Sequence, residues 1–429
     1  MTNKSQPLQN SLTTADPLPH AVARLPKTLK VLHLFSDWKW TGPAEPVLSL
    51  CEALAGKGAD VTVAFRKAPP DFLERTVEKE AKARGIACYD GFRLNRYFSP
   101  RDWLFDQHAI KSYAEQNRID VVHTNLSHDH FTALLSLSFS KKRPLIVRTD
   151  HKRDGTPYTY FMGWAFGRTD GLVTYSRRIM THDVSTFHVP AERTCVIPPG
   201  IKPYDGPVQN MKDTFGIKPE EHVIGVIGRL KPDRGYDSIL KAFRLLRDRM
   251  DSVKLLVVGR SSQIEKSIKE PLAELGLEND VILAGYRVAD YFSVISTFDL
   301  FVMMRAGSDG SARALREVMA MGKTAVVSDK GMLPELVEDG VSGFVVPFDE
   351  RVLADRMEIL LRDNERRKLF EENAKLIARE KWNYEAQAEG LLDFYTRLIA
   401  LGERGGMIQF AFKNRTRRQG DDDEVNKVI

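Results

Sequence analysis

Residues 301–347, FVMMRAGSDGSARALREVMAMGKTAVVSDKGMLPELVEDGVSGFVVP, decide how the rest of the chain is interpreted. The stretch opens with an apolar run typical of a buried strand, and a glycine-bearing loop over 307–311 follows it. A helical pattern comes next, with Leu315, Val318 and Met319 on one side, and Gly322 ends it. The N–H groups at the start of such a helix are free and favour a bound anion. The stretch therefore predicts a phosphate site that needs no metal ion.

Two carboxylates frame this loop. Asp309 precedes the helix, and Glu317 lies about two turns into it. Glu317 falls opposite the apolar stripe and near Arg313, so the pattern leaves two alternatives: a solvated glutamate, or a residue that faces a cleft.

Residues 309–322, DGSARALREVMAMG, resemble the signature of the family 4 glycosyltransferases of the GT-B fold. That signature has an acidic residue, two spaced glycines, a glutamate, Ala-Met-Ala and a final glycine. Asp309 stands where Glu is usual, Ala312 replaces the second glycine, and Val318 replaces an alanine. The resemblance implies catalytic contacts from Asp309 to the sugar hydroxyls and from Glu317 to the nucleotide ribose. It also implies that three backbone N–H groups face the donor: those of Gly310, Ser311 and Ala312.

Length and composition are those of a globular protein with two or three domains. The chain has 429 residues, of which 42% are hydrophobic and 28% are charged. The sequence contains no run of about 18 apolar residues, so we predict no membrane-spanning helix. Residues 1–29 lack an apolar core and are typical of a flexible arm, not of a signal peptide. The three cysteines are far apart, which favours a reducing, cytoplasmic compartment and argues against a metal site.

The charge distribution limits the partners. The formal net charge is +5, and basic clusters occur over 93–101 and 413–418. Such clusters are either ordinary solvated surface or a peripheral contact with an anionic membrane at its inner face. No basic-aromatic recognition module stands out, so we expect no nucleic-acid partner.

Strand and helix patterns alternate along the chain in two series, which predicts an α/β protein with parallel sheets. We expect two Rossmann-like, doubly wound domains that face each other across a cleft, as in the GT-B fold. The predicted strands lie at 30–35, 60–65, 87–89, 121–124, 145–149, 171–174, 194–197, 222–227, 253–258, 281–283, 300–303 and 324–327. The predicted helices lie at 44–57, 70–84, 103–117, 130–139, 158–167, 177–187, 236–249, 264–275, 289–296, 350–362, 364–380 and 384–401.

The domain boundaries follow from the breaks in this alternation. We predict an acceptor-side domain over 30–205 and a nucleotide-sugar domain over 206–382, joined near the Pro198-Pro199-Gly200 break. The resemblance implies that a helix over 383–401 crosses back to the first domain. The tail over 402–429 carries charge blocks without order signals and is predicted to be disordered.

The predicted site lies where strands end, because ligands of open α/β sheets bind at that edge. Arg229 and Arg234 follow the first strand of the second half and resemble the family's phosphate-binding Gly-Arg…Lys-Gly loop, so we predict that they clamp the donor diphosphate. Residues 258–261, which include Gly259, resemble the family's loop at a strand end near the nucleotide. Residues 42–45, Gly-Pro-Ala-Glu, resemble the family's Gly-Gly-x-Glu loop, which implies that phosphate or acceptor approaches Gly42. A plain tight turn before a helix fits nearly as well.

Histidines cluster over 123–151, at a spacing that suits a metal poorly. His151 directly follows a predicted strand and resembles the family's active-site histidine, so it is the first choice as a catalytic residue. Asn125 and His128 are second choices as substrate-binding residues. We expect no cofactor and no metal; a nucleotide diphosphate sugar is the co-substrate.

Taken together, the resemblance implies a retaining, metal-independent glycosyltransferase that acts on a glycan or glycolipid acceptor in cell-envelope or polysaccharide biosynthesis. Two alternatives stay open. One is a nucleotide-sugar epimerase of the same fold, and the other is a non-catalytic subunit that binds nucleotide sugar.

Overall fold

The computed structural model describes residues 28–40, 43–70, 72, 75–95, 97, 99–138, 140, 143–152, 154–306 and 312–405. In this part of the chain, two parallel sheets form the centres of two lobes. The N-terminal lobe has a seven-stranded sheet in the order β3-β2-β1-β4-β5-β6-β7. Its strands are β1 (Lys30–Phe35), β2 (Asp60–Phe65), β3 (Ala87–Tyr89), β4 (Val121–Thr124), β5 (Leu145–Asp150), β6 (Gly171–Thr174) and β7 (Thr194–Val196).

The C-terminal lobe has a six-stranded sheet in the order β10-β9-β8-β11-β12-β13 within the described residues. Its strands are β8 (His222–Ile227), β9 (Val253–Val258), β10 (Val281–Gly285), β11 (Leu300–Met303), β12 (Ala325–Ser328) and β13 (Gly343–Val346). In each sheet the strand order reverses beside the first strand of the lobe, between β1 and β4 and between β8 and β11. A crevice forms at such a switch point, outside the carboxyl ends of the strands.

Helices cover both faces of the two sheets. In the N-terminal lobe these are α1 (Ala44–Gly56), α2 (Val77–Ala83), α3 (Pro100–Asn117), α4 (Ser127–Leu137), α5 (Tyr160–Gly167) and α6 (Arg177–Phe187). The C-terminal half of the chain contains α7 (Tyr236–Arg247), α8 (Glu270–Glu274), α9 (Tyr291–Ser296), α10 (Arg313–Ala320), α11 (Glu350–Arg362), α12 (Asn364–Lys381) and α13 (Tyr384–Gly405). None of the helices in the described part of the chain is both long enough and apolar enough to cross a bilayer.

The two doubly wound lobes confirm the predicted fold class, but several elements differ from the prediction. Helices α3 and α4 each begin three residues earlier than predicted, at Pro100 and Ser127. The helix predicted over 70–84 begins only at Val77, because Thr76 caps it and also bridges to Lys39. The helix predicted over 264–275 starts as a π-helical turn, Glu265–Lys269. The strand β13 was missed, and α13 continues to Gly405 beyond its predicted end.

Helix α13 packs on the first lobe although it follows the second in sequence. Its buried side chains Leu391, Phe394 and Leu398 belong to the same hydrophobic core as β1 and α1. Tyr395 is fully buried, and its hydroxyl bonds to Nδ1 of His123 on β4. These contacts tie α13 to the middle of the first sheet.

Candidate active site

A cavity of about 420 Å³ lies between the two lobes, at the carboxyl ends of their central strands. From the N-terminal lobe it is lined by residues that follow β4 and β5, among them Asn125, His151 and Lys152. From the C-terminal lobe it is lined by residues that follow β8 and β11, among them Arg229 and Arg305. Both switch points thus open into one space.

On the N-terminal side, His151 and Asn125 lie together. Nε2 of His151 is 3.5 Å from Oδ1 of Asn125, and the rings of His151 and Tyr175 meet at 87°, with 5.0 Å between their centroids. Asn125 is buried, and its amide donates to the carbonyl oxygen of Leu34, which turns Oδ1 toward the histidine. This bond fixes the orientation of one polar group at the cavity wall.

On the C-terminal side, Arg234 is buried while Arg229 is exposed. Arg234 ends a short 3-10 turn, Pro232–Arg234, and its guanidinium donates to the carbonyl oxygen of Ala306 just after β11. The turn closes at Gly235, where φ is +79° and a Cβ would come within 2.8 Å of Met304. The structure therefore brings four predicted site residues to one cavity: His151, Asn125, Arg229 and Arg234.

The cavity wall is strongly cationic. Its described lining contains five cationic side chains and one carboxylate, that of Asp150. The cations are Arg148, Lys152, Arg229, Arg234 and Arg305. The low-dielectric walls of a cleft strengthen such a field and favour an anionic ligand. Sequence reasoning missed Lys152 and Arg305, although each follows a strand that it had identified, and that position is the signal that could have found them.

Arg148 and Asp150 form the most buried part of the charged lining. Nη2 of Arg148 lies 3.5 Å from Oδ1 of Asp150, and Nη1 lies 3.1 Å from Nδ1 of His130. His130 also meets the hydroxyl of Thr169 at 2.6 Å. Burial holds the pKa of His130 well below its usual value, so this imidazole is neutral and accepts from the arginine. These contacts fix the end of β5, directly before His151.

Glu317 lies outside the lining of this cavity as the described residues form it. Its Oε1 accepts from Nε of Arg313 at 2.7 Å, and its Oε2 accepts from the hydroxyl of Tyr291 at 2.7 Å. The Glu317 side chain is 7% exposed, so the alternative of a solvated glutamate is wrong. A buried carboxylate held by two donors has a fixed position, as a ligand-binding acceptor requires.

Three further predicted residues have structural surroundings of their own. Ala312 is the residue before α10, with φ +45°, a left-handed conformation that usually requires glycine. At Gly259 a Cβ would lie 1.9 Å from the carbonyl oxygen of Gly228, so this glycine permits the loop after β8 to close. His128 packs against Trp103, and burial lowers its pKa to about 4. His128 does not belong to the described lining of the cavity.

Four predicted site residues lie outside the described residues: Gly42, Asp309, Gly310 and Ser311. The N-terminal arm lies there too, apart from its last two residues, and so does the tail after 405. Within the described part of the chain, no group of three or more His, Cys, Asp and Glu side chains is arranged to hold a metal ion.

Two family models match the chain, one for each lobe. Residues 208–377 match the family described as Glycosyl transferases group 1, and residues 41–204 match Glycosyltransferase Family 4. A lipopolysaccharide 1,2-N-acetylglucosaminetransferase of Salmonella typhimurium is 27% identical over 215 residues, which are 47% of this chain and 56% of that protein. The chain thus spans little more than half the length of the curated relatives it matches first.

Solved structures match over nearly the whole described chain. A glycosyltransferase from Rickettsia africae has a TM-score of 0.74 at 16% identity, covering 87% of this chain and 99% of that one. Alr3699/HepE from Anabaena, in complex with UDP and glucose, has a TM-score of 0.69 at 20% identity, covering 86% and 99%. At such identities the likeness shows the shared fold: two Rossmann-like domains around a cleft.

Proposed function

Because the chain belongs to the family 4 glycosyltransferases with the GT-B fold, we propose that it transfers a sugar from a nucleotide diphosphate donor to a glycan or glycolipid acceptor. The proposed reaction retains the configuration of the sugar, needs no metal ion, and serves polysaccharide or lipopolysaccharide biosynthesis. A relative with such a role, the lipopolysaccharide N-acetylglucosaminetransferase, supports the last point.

The cationic cavity between the lobes is the observation that carries this proposal. When the bond from the sugar to the diphosphate breaks, negative charge develops on the leaving phosphate. Preorganised cationic donors stabilise that charge in a site from which water is excluded. Arg229 and Arg234 are assigned this role, since guanidinium groups bind phosphate in a bidentate manner. Asp309 and Glu317 are assigned to the sugar and the ribose.

His151 is assigned to the sugar end of the donor. Its ring is largely buried, and the Asn125 amide oxygen lies beside Nε2. A ring held in this way can meet a hydroxyl group of the sugar without a large loss of side-chain entropy. We assign no nucleophile to the enzyme; in the proposed reaction the acceptor hydroxyl attacks the face of the sugar that the diphosphate leaves.

A basic and apolar surface on the N-terminal lobe supports a lipid-linked acceptor. Tyr97, Leu104 and Phe105 are exposed there, and Arg93 lies 4.5 Å from the Phe105 ring centroid. We propose that this surface makes peripheral contact with anionic lipid on the cytoplasmic side of a membrane. The protein should co-sediment with vesicles that contain phosphatidylglycerol, and Leu104→Asp should reduce the fraction that co-sediments. Recovery of an equal fraction of the protein with neutral phosphatidylcholine vesicles would contradict the contact.

Nucleotide sugars, incubated with the protein in the presence and absence of acceptor extracts, test the proposed reaction. We expect the nucleoside diphosphate to be released even in the presence of EDTA. The rate of this release should fall about 100-fold in Arg229→Gln or Arg234→Gln. Arg249→Gln is the matched control, because Arg249 pairs with Asp355 on the surface. Undiminished release by both cavity variants would refute the clamp.

Product analysis separates the two rival functions. An epimerase would convert the donor sugar without acceptor and without releasing nucleotide. A non-catalytic subunit would bind the nucleotide sugar, and this binding would raise the melting temperature of the protein. It would form no product from the nucleotide sugar.

A further inference from the structure

The segment after His151 is shaped by two buried carboxyl groups on different elements. Oδ1 of Asp150, at the end of β5, accepts from the backbone N–H of Lys152 at 3.1 Å, and its Oδ2 accepts from the hydroxyl of Thr156 at 2.7 Å. Oδ1 of Asp183, on α6, accepts from the backbone N–H of Thr156 at 2.9 Å. Thr156 is thus held by both carboxyl groups at once.

Close packing supports the same arrangement. Gly155 has φ +80°, and a Cβ there would lie 2.3 Å from Nδ1 of His182 and 2.8 Å from Oδ1 of Asp183. The backbone therefore lies directly on α6, and only glycine permits this approach. His182 in turn lies 3.0 Å from Oδ1 of Asp183.

The two carboxyl groups are both buried, and basic groups surround them. The Asp150 and Asp183 side chains are 1% and 0% exposed, and Oδ2 of Asp183 has no hydrogen-bond partner among the described residues. Three basic groups face the pair: Arg148 from β5, Lys152 from the following segment and His182 from α6. Burial and the neighbouring Asp150 raise the pKa of Asp183 to about 6.

We propose that Asp183, which is not in the cavity lining, is a positioning residue for sugar transfer: it pins Thr156 and so holds His151 and Lys152 in the cavity. The proposal rests on the proposed function for its catalytic part. The pinning itself follows from the contacts alone. No other residue on α6 donates to or accepts from Thr156 among the described contacts.

Amide hydrogen exchange in the full-length protein tests the pinning without any substrate. Asp183→Ala removes the acceptor of the Thr156 N–H, and we expect exchange at this amide to be at least tenfold faster. Asp183→Asn should stay within about threefold of wild type, because its amide oxygen can still accept from the Thr156 N–H. Unchanged exchange in Asp183→Ala, or equally fast exchange in both variants, would overturn the proposal.

Kinetics with the donor sugar test the positioning. We expect kcat of Asp183→Ala to fall at least tenfold while KM for the donor stays within twofold, since the proposed diphosphate clamp is on the other lobe. Asp183→Asn should restore most of kcat. Faster exchange with an unchanged kcat would overturn the catalytic part. If wild type transfers no sugar, the proposed function fails, and the exchange result still decides the pinning.

Asp106→Asn provides the matched control. Asp106 is also a fully buried carboxyl group on a helix, α3, and it accepts from the backbone N–H groups of Arg93 and Leu94 at 2.8 and 2.9 Å. Its replacement should alter exchange around those two residues and leave the Thr156 amide unchanged. If Asp106→Asn accelerated exchange at the Thr156 amide as much as Asp183→Ala does, general destabilisation would explain the faster exchange. That result would refute the proposal.

Discussion

Replacing His33 with leucine should make the N-terminal lobe less sensitive to acid. His33 lies on β1, fully buried, and stacks on His123 with 4.7 Å between ring centroids and 9° between ring planes. Neither of its ring nitrogens has a hydrogen-bond partner among the described residues. Burial lowers its pKa from 6.5 to about 3, so the folded protein keeps this imidazole neutral where the unfolded chain protonates it.

The magnitude follows from this difference in pKa. Below about pH 6.5 the unfolded chain takes up a proton at residue 33 that the folded chain refuses, so stability falls as the pH falls toward 3. At pH 5, about 1.5 pH units below the pKa of the unfolded chain, the loss is about 2 kcal/mol. At pH 7.5 it is close to zero. Leucine has no such proton equilibrium, so His33→Leu removes this loss.

Thermal unfolding at the two pH values measures the effect. Four of the five tryptophans precede residue 205, so their fluorescence reports mainly on the lobe that contains His33. We define the difference as the melting temperature of His33→Leu minus that of wild type. This difference should be about 4–8 °C higher at pH 5 than at pH 7.5. Comparing the two differences cancels the change in packing, which is the same at both pH values.

An exposed histidine provides the control. His108, on α3, stays in contact with water in the folded protein, so His108→Gln should shift the melting temperature equally at both pH values. A difference that is the same at pH 5 and pH 7.5 for His33→Leu would refute the reasoning, because it would mean that the folded protein accepts a proton at His33.

Three further substitutions test contacts that shape the site. Gly259→Ala forces its Cβ against the Gly228 carbonyl, so we expect a loss of about 2–3 kcal/mol in stability, measured by thermal unfolding, and weaker nucleotide binding in calorimetry. Tyr395→Phe removes the hydroxyl that bonds to buried His123 and should cost about 1–2 kcal/mol in urea unfolding followed by tryptophan fluorescence. The Glu335 carboxylate of the C-terminal lobe accepts from the first two N–H groups of α6 at 2.7 and 3.0 Å. Glu335→Ala should therefore weaken the contact between the lobes by about 1 kcal/mol, seen as a larger radius of gyration in small-angle scattering, and Glu335→Gln should do so less.

The sequence by itself determined the α/β alternation and most strand positions. Buried parallel strands are short apolar runs, and such runs are visible without any tertiary information. It also determined which residues follow the central strands, and for this reason the predicted residues His151 and Arg229 both line the cavity. The ends of parallel strands meet at one edge, so a position just after a strand carries information about the cleft. The strand β13 escaped this reasoning, because its four residues lie among glycines that are typical of a loop.

Only the tertiary structure decided which polar groups meet. Glu317 pairs with Tyr291 on another helix, Tyr395 reaches His123 from the far end of the chain, and Asp183 pins the segment after His151 from α6. These contacts join residues on separate elements, whose distance depends on how helices pack against the sheets. No local periodicity records that packing, because a helical pattern shows which face is buried but not which neighbour lies opposite.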